Sequence, residues 1–253
     1  MALETGDRAL PSTAITDLAL HPAETALASC QQAIAIAPHP DDETLGCGGA
    51  IALLRQRSVP VRVLVVSDGS GSHPHSQHYP APRLKKLRQQ ETIAALQILG
   101  VPAAAITFLG WPDKAVPQPG SPHFGTAVAN CRRYLRCHQP ALLFVPWQHD
   151  HHRDHRATWQ IVQSALQGWP QPPRQLAYAV WGSPAAGLPA LPGGTTGWRL
   201  DIRSVMALKQ QAALAHQSQT TDLIADDPTG FRLTPAMLAN LIQPWETYLE
   251  ESS

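Results

Sequence analysis

The sequence lacks several features that would place it in a common functional class. It has no apolar run approaching the roughly 20 residues that a membrane-spanning helix needs. Its 19 basic and 19 acidic residues give a net charge of zero, and it has no long basic block, so neither nucleic acid nor an anionic membrane is indicated as a partner. The first residues contain Glu4, Asp7 and Arg8 and no apolar segment, so we expect a cytoplasmic protein without a secretory signal.

Cysteine is also scarce. No CxxC pair is formed by the four cysteines, Cys30, Cys47, Cys131 and Cys137. A cysteine zinc site or a disulfide framework is therefore not indicated, and we expect small buried apolar side chains at these positions. The chain of 253 residues with 43% hydrophobic residues is long and apolar enough for one large α/β domain or two small ones.

From residue 33 onward, short apolar runs alternate with helical patterns. Strands are predicted at 33–38, 61–67, 106–109, 141–146 and 176–180, and helices at 48–57, 84–99, 124–137 and 155–167. This alternation predicts a Rossmann-like, three-layer α/β domain with a mostly parallel five-stranded sheet in the order 3-2-1-4-5. Additions are predicted outside this core, with a strand or wrapping arm at 13–20, a strand at 198–202, and helices at 204–217 and 234–250.

The first predicted strand ends in His39-Pro40-Asp41-Asp42-Glu43. His39 and Asp42 are three residues apart, so one turn of loop can direct both at one point, and both residue types are ordinary zinc ligands. Asp41 can face the same point without binding the metal. Two ligands are too few for a catalytic site, so this interpretation requires a third ligand elsewhere. The alternative is that the three acids only begin a helix, where negative charge is favourable.

The fourth predicted strand ends in a second unusual loop. The apolar run 142–147 is followed by His149-Asp150-His151-His152-Arg153-Asp154-His155-Arg156 and then by a helical pattern. In the order 3-2-1-4-5, strands one and four flank the point where the strand order reverses. Ligands bind at that point in open α/β sheets, so we expect the two loops to meet there.

Together these loops resemble a known family. The segment His39-Pro40-Asp41-Asp42-Glu43-Thr44-Leu45-Gly46-Cys47-Gly48-Gly49 resembles the signature of the PIG-L-type (LmbE-like) zinc-dependent N-deacetylases, and His152-Arg153-Asp154-His155 resembles that family's second motif. Members remove acetyl from N-acetylglucosamine in glycolipids and sugar-containing thiols. The resemblance spans about residues 33–250 and implies an N-terminal arm, 1–32, and one deacetylase domain, 33–253, in which 198–253 completes the substrate mouth.

With this resemblance, zinc is expected on His39, Asp42 and His155, with water at the fourth position. The metal would lower the pKa of that water. Asp41 is the expected general base, and it could return the proton to the leaving amine. A ligand set that uses His151 or His152 stays open, as does iron(II) in place of zinc.

The remaining assignments concern groups around the metal. His152 is expected to stabilise the oxyanion as an imidazolium, and Asp154 to orient or charge an imidazole. Arg88 resembles the arginine of the family's R-x-x-E helix and would bind substrate, unless it is a surface arginine paired with Glu91. His216, in a segment that resembles the family's C-terminal part, is a further candidate for substrate contact.

Other side chains receive structural assignments. Asp68 would orient the ligand loop or cap a turn, and Trp245-Glu246 would serve in packing. The loop with His73, His75 and His78 is interpreted as a mobile lid, with a weak second metal site as the alternative.

The predicted activity is metal-dependent removal of an N-acetyl group from a 2-acetamido sugar conjugate, a small-molecule partner. The metal-bound water would attack the amide. One alternative is an amidase that acts on larger amino-sugar thiol conjugates. Another is a Rossmann-like binding protein without catalysis, which the sequence disfavours because Gly46-Cys47-Gly48-Gly49 is not a dinucleotide-binding G-x-G-x-x-G. A homo-oligomer is left open.

Overall fold

A computed structural model describes residues 18–180 and 195–251 of the chain. Within these residues eight strands form one sheet, in the order β1-β7-β8-β6-β5-β2-β3-β4. The strands are β1 (Leu20–His21), β2 (Ala33–Ala37), β3 (Val61–Ser67), β4 (Ile106–Trp111), β5 (Leu142–Pro146), β6 (Arg174–Tyr178), β7 (Thr195–Asp201) and β8 (Trp245–Glu251).

The central five strands confirm the predicted order 3-2-1-4-5. They lie side by side as β4-β3-β2-β5-β6, and every neighbouring pair among them is parallel. The sheet continues beyond β6 through β8 and β7, both in antiparallel pairs, to the short edge strand β1. Residues 13–17 of the predicted N-terminal strand lie outside the described residues.

The helices of the described chain are α1 (Ala23–Ala26), α2 (Asp42–Gln56), α3 (Ala81–Ile98), α4 (Phe124–His138), α5 (Arg153–Leu166), α6 (Met206–Leu214), α7 (Gln217–Thr220) and α8 (Pro235–Leu241). They form a layer on each face of the sheet. Alternate residues of β2 show the division, because Ala33 and Ala35 belong to the core beside α2, whereas Ile34 and Ile36 belong to the core beside α4 and α5. The three-layer prediction is confirmed. None of the described helices has the length and apolarity needed to cross a membrane.

The prediction of a single helix over 234–250 is wrong. Helix α8 ends at Leu241, and residues Trp245–Glu251 form β8. Pro244 separates the two elements, and the residue before a proline is biased away from helical conformation. In the strand, Glu246 and Tyr248 are buried two residues apart, which is the period of a strand.

Helix α2 begins at Asp42, six residues before its predicted start, and is kinked at Cys47, whose φ is −143°. Two glycines allow this helix to approach its neighbours closely. A Cβ on Gly46 would lie 2.2 Å from Cδ2 of Tyr178, and one on Gly49 would lie 2.7 Å from Cδ1 of Ile202. The glycines therefore allow the first turn of α2, which carries the acidic residues, to pack against the end of the sheet.

A buried ion pair supports the kink. Glu246 accepts hydrogen bonds from the backbone N–H groups of Gly49, at 2.7 Å, and Ala50, at 2.9 Å. The ammonium of Lys209 lies 2.7 Å from the same carboxylate. Glu246 thus caps the second half of α2 from another part of the chain, in agreement with the predicted packing role of this segment.

The cysteines mostly follow their prediction. Cys30, Cys47 and Cys131 are buried, and all four cysteines are free thiols. Cys137 is exposed, so the expectation of a buried side chain is wrong there. It lies in the last turn of α4, on the side of the helix that faces away from the sheet.

Candidate metal centre

The two motif loops meet at the carboxyl edge of the sheet, as predicted. Strands β2 and β5 are direct parallel neighbours, with Ala33 paired to Leu142 and Ala35 to Phe144. The loop after β2 therefore lies beside the loop after β5, although the two are more than one hundred residues apart in sequence.

One carboxylate oxygen joins the three predicted ligands. Oδ2 of Asp42 lies 3.1 Å from Nδ1 of His39 and 3.1 Å from Nε2 of His155. The same oxygen accepts a hydrogen bond from the backbone N–H of His39 at 2.8 Å. All three residues are buried. The structure thus brings together the two imidazoles and the carboxylate that sequence analysis selected.

The outer nitrogen of each imidazole faces further carboxylates. Nε2 of His39 lies 3.3 Å from both Asp113 and Asp154, and Nδ1 of His155 lies 3.2 Å from Asp150. Each ring therefore presents one nitrogen to Asp42 and the other to a carboxylate. Metal-binding histidines usually have such a partner, which fixes the ring and makes the inner nitrogen a better donor.

The charges at this centre also fit a cation. Burial lowers the pKa of His39, but Asp113, Asp154 and Asp42 outweigh it and hold that pKa well above its ordinary value. Burial likewise opposes charge on His155, whereas Asp42 and Asp150 raise its pKa to about 9. The rings bind protons tightly because acids surround them, and a metal ion would take the place of those protons.

Other groupings of donor atoms are present within the described residues. Atoms of His39, His152 and His155 lie within 4.8 Å of one another, and so do atoms of His39, Asp113 and Asp154. The ligand set with His152, left open by the sequence, therefore stays open.

His152 has a second role as the N-cap of α5. Its Nδ1 accepts a hydrogen bond from the backbone N–H of Asp154 at 3.2 Å, so the proton of a neutral ring is on Nε2. Burial lowers the pKa of His152, and the charges of His39 and His155 lower it further. These contacts favour a neutral ring with an Nε2–H donor over the expected imidazolium.

Asp41 lies between the ligands in an unusual conformation. Its φ is 134°, in a region that a residue with a side chain rarely adopts, and only 5% of its surface is exposed. Burial raises the pKa of Asp41 to about 7, although the charge of Arg88 acts in the opposite direction. The neighbouring loops hold this strained residue in place, and strain of this kind is concentrated at functional sites.

Arg88 is buried, so the alternative of a surface arginine paired with Glu91 is wrong. Its Nη2 lies 2.9 Å from Oδ2 of Asp41 and donates to the carbonyl of Pro40, while its Nη1 donates to the carbonyl of Gly69. Arg88 joins the loops after β2 and β3 and neutralises Asp41. Its predicted contact with substrate stays a prediction.

A cavity of about 390 Å³ opens above these groups. It is lined by His39, Asp41, Asp42, Ser72, Arg88, Asp113, Lys114, His151, His152, Gln219 and Phe231. The volume is near the lower end of the range for small-molecule sites, roughly 300–1,000 Å³. Acids and imidazoles form its floor, and the part of the chain after β7 contributes Gln219 and Phe231 to its wall.

His216 lies outside this lining. It is fully buried, with Nε2 3.4 Å from Oγ1 of Thr44 and 3.8 Å from Glu43, in the layer beneath the first turn of α2. Its predicted contact with substrate stays a prediction.

Asp68 caps the turn after β3, because its Oδ1 accepts hydrogen bonds from the N–H and hydroxyl of Ser70.

The loop with His73, His75 and His78 is tied to a distant segment. Asp226 accepts from the backbone of Gln77 and His78 and from the hydroxyl of Ser76, and Asp227 accepts from the backbone of His75. Among the described residues, none of these three histidines belongs to a cluster that could hold a metal. Four hydrogen bonds thus tie this loop to Asp226 and Asp227, and the interpretation of the loop as a mobile lid stays a prediction.

Sequence analysis missed two carboxylates of the centre. Asp150 was named only as part of the histidine-rich loop, and Asp113 received no assignment. Asp113 follows the end of β4 by two residues, so the rule that ligands gather at the carboxyl ends of parallel strands could have found it.

Comparisons with known proteins indicate the family of the chain. The family model PIG-L, described as GlcNAc-PI de-N-acetylase, matches residues 34–166, more than half of the chain. A protein of Bacillus subtilis (strain 168), named probable N-acetyl-alpha-D-glucosaminyl L-malate deacetylase 2, is 28% identical over 202 residues, which cover 78% of this chain and 86% of that protein. A protein of Nocardia farcinica (strain IFM 10152), named 1D-myo-inositol 2-acetamido-2-deoxy-alpha-D-glucopyranoside deacetylase, is 29% identical over 266 residues, or 83% of this chain and 87% of that protein.

Among solved structures, N,N'-diacetylchitobiose deacetylase from Pyrococcus horikoshii is similar in fold. Its TM-score is 0.62 at 23% identity, over 79% of this chain and 74% of that chain. The family match includes both motif loops, from the strand before His39 to the helix that begins after His152. The chain belongs to the PIG-L family.

Proposed function

We propose that this protein is a metal-dependent deacetylase that hydrolyses the acetamide of a 2-acetamido-2-deoxy sugar conjugate. The observation that carries the proposal is the position of Asp41. This carboxylate lies at the cavity floor, directly beside the cluster of His39, Asp42 and His155, and burial raises its pKa to about 7.

The three inner donor atoms fit Zn²⁺, with iron(II) as the alternative. Nδ1 of His39 and Nε2 of His155 each lie 3.1 Å from Oδ2 of Asp42, and the other nitrogen of each ring faces a further carboxylate. Three protein ligands are the usual number for a catalytic zinc site. When bound, such an ion would lower the pKa of water and polarise the acetyl oxygen.

Asp41 would act as the general base and then as the acid. A base with a pKa near the working pH accepts a proton from water and still returns it readily, here to the departing amine. Arg88 holds the Asp41 carboxylate at 2.9 Å, so the base has a fixed position above the cavity floor.

His152 would stabilise the negative charge that develops on the acetyl oxygen. Its Nδ1 is occupied by the N–H of Asp154, so its Nε2–H is the ring's donor. One such donor contributes up to about 4 kcal/mol to catalysis. Asp154 itself lies against Nε2 of His39 and accepts from the backbone N–H of Lys114 at 2.7 Å, so it orients His39. A binding protein without catalysis would not need a carboxylate of raised pKa such as Asp41 beside the metal ligands.

The names of the relatives and the size of the cavity support the proposed substrate class. Two relatives carry names that specify an N-acetylglucosamine unit joined to malate or to inositol. A cavity of about 390 Å³ can hold one sugar unit, and malate and inositol are small aglycones. The amidase that acts on larger thiol conjugates is therefore the second hypothesis.

Acetate release from a panel of N-acetylglucosamine derivatives, with malate, inositol and thiol-bearing aglycones, tests the proposal. Asp41→Asn, which keeps the size of the side chain, should lower kcat about 100-fold or more and leave the bound metal in place. Full activity of Asp41→Asn, or a metal-loaded protein that releases no acetate from any derivative, would contradict the proposal.

A further inference from the structure

We propose that Gln219 determines which sugar this enzyme accepts, because its side-chain oxygen Oε1 accepts a hydrogen bond from a hydroxyl of the sugar ring. The inference rests on the proposed function and adds a recognition residue to it. Gln219 lines the cavity, yet its side chain is fully buried in the cavity wall.

The orientation of the Gln219 amide is set by its neighbours. The backbone N–H and the hydroxyl of Ser218 both donate to Glu91, at 2.7 and 2.6 Å. Because the single hydroxyl proton of Ser218 is directed at Glu91, its Oγ is left as an acceptor. It accepts from Nε2 of Gln219 at 2.9 Å.

The second proton on Nε2 is also engaged. Nε2 lies 3.3 Å from Oγ of Ser72. In the exchanged amide, Oε1 would face Oγ of Ser218, whose only proton is directed at Glu91, so the observed orientation is the favoured one. Oε1 is therefore the group directed away from these two hydroxyls.

Oε1 has no hydrogen-bond partner among the described residues, although it is buried. A buried acceptor without a partner costs free energy, so such atoms call for an explanation. Here the residue lines the candidate active site, and an acceptor fixed in that wall is complementary to a donor. On a sugar the donors available are hydroxyl groups.

The surroundings of Gln219 suit a sugar ring. Phe231 also lines the cavity and is 37% exposed, and its backbone N–H donates to the carbonyl of Ser72 at 2.8 Å. An aromatic face beside a polar acceptor matches a ring with apolar C–H faces and polar edges. Asp41 and His39 line the same cavity, so the acetamide and the recognised hydroxyl belong to one small molecule.

The first test uses the wild-type enzyme and altered substrates. N-acetylglucosamine derivatives that are deoxy or deoxyfluoro at positions 3, 4 and 6 are compared with the parent sugar by kcat/KM. Fluorine occupies the place of a hydroxyl but cannot donate a hydrogen bond. At one position we expect both derivatives to be at least tenfold poorer than the parent, because a site built to bond a hydroxyl rejects analogues that lack it.

A variant then tests whether Gln219 is the residue that binds the hydroxyl at that position of the sugar. Gln219→Met keeps the length of the side chain without the acceptor, and should lower kcat/KM for the parent sugar by a similar factor. The deoxy derivative at the recognised position should lose nothing further, since the interaction is already absent. Gln217→Met is the matched control, because Gln217 lies on the same short helix with its side chain exposed.

Three results would overturn the inference. The first is that all fluoro derivatives have the same kcat/KM as the parent sugar. The second is that every deoxy change lowers the kcat/KM of Gln219→Met by the same factor as in the wild-type enzyme. If wild-type protein with bound metal deacetylates no sugar, the proposed function fails and the inference fails with it. Should Gln219→Met not fold, as judged by thermal unfolding and metal content, Gln219→Leu replaces it and the wild-type comparison still decides whether a hydroxyl donor is required.

Discussion

At the scale of single residues, the site depends on how buried charges are paired. Asp41 is paired with Arg88, and His39 and His155 are each held between Asp42 and an outer carboxylate. A buried charge is tolerated only when it is paired, and pairing sets the pKa of the groups that do chemistry. The sequence identified His39, Asp41, Asp42, Arg88 and His155, but the outer carboxylates Asp113 and Asp150 and the pairing of the charges were seen only in the structure.

Replacement of Arg88 should shift the pH dependence of the reaction. The charge of Arg88 lowers the pKa of Asp41, so Arg88→Met should raise that pKa further above about 7. Because the base acts when deprotonated, the acid limb of kcat/KM should move to higher pH, by about 1–3 units. Arg88→Lys keeps the positive charge and should move it less. An acid limb unchanged in Arg88→Met would contradict the role of Asp41 as base.

Metal affinity should rise steeply with pH. A metal binds the neutral imidazole, whereas the pKa of His155 is raised to about 9 and that of His39 is raised well above its ordinary value. Below those values each ring must lose a proton, so affinity should increase about tenfold per pH unit for each ring between pH 6 and 8. The pKa of Asp42 is lowered, so this group is already ionised and adds nothing. Competition with a chromophoric chelator measures the slope, and a flat profile would contradict it.

At the scale of elements, helix α2 carries the acidic residues onto the edge of the sheet. Its kink at Cys47 and its cap by Glu246 come from contacts with distant parts of the chain. The five central strands were predicted well because each contains a short apolar run. The early start of α2 was missed because its first turn is acidic and is followed by three glycines, a local pattern that favours a loop.

Two neighbouring glycines of α2 should respond differently to alanine. In Gly49→Ala the new Cβ would lie 2.7 Å from atoms of Ile202, which should destabilise the fold by about 1–3 kcal/mol. In Gly48→Ala the nearest atom is Cδ1 of Leu99 at 3.4 Å, an ordinary contact, and alanine favours the helix by about 0.5–1 kcal/mol. Chemical denaturation of both variants tests this. Equal stability changes would show that the close approach of α2 to Ile202 is unimportant.

At the scale of the whole molecule, the sheet order brings distant loops to one place. The alternation of strands and helices predicted a parallel sheet, and the doubly wound order 3-2-1-4-5 expected for such a sheet placed His39 beside the loop of His155. Gln219 and Phe231 could not be assigned in this way, since they reach the cavity through long-range packing rather than through a local pattern. Strand β8 was wrongly predicted as part of a helix, because residues 234–250 have helical composition.

The most direct test of the whole account is the metal content of the purified protein, measured together with acetate release. His155→Ala removes one inner donor, and His149→Ala is the matched control, because His149 is an exposed histidine of the same loop. We predict one metal ion per chain and acetate release in wild-type protein and in His149→Ala, and the loss of both in His155→Ala. A wild-type protein without metal that still releases acetate, or a His155→Ala variant that keeps both properties, would contradict the account.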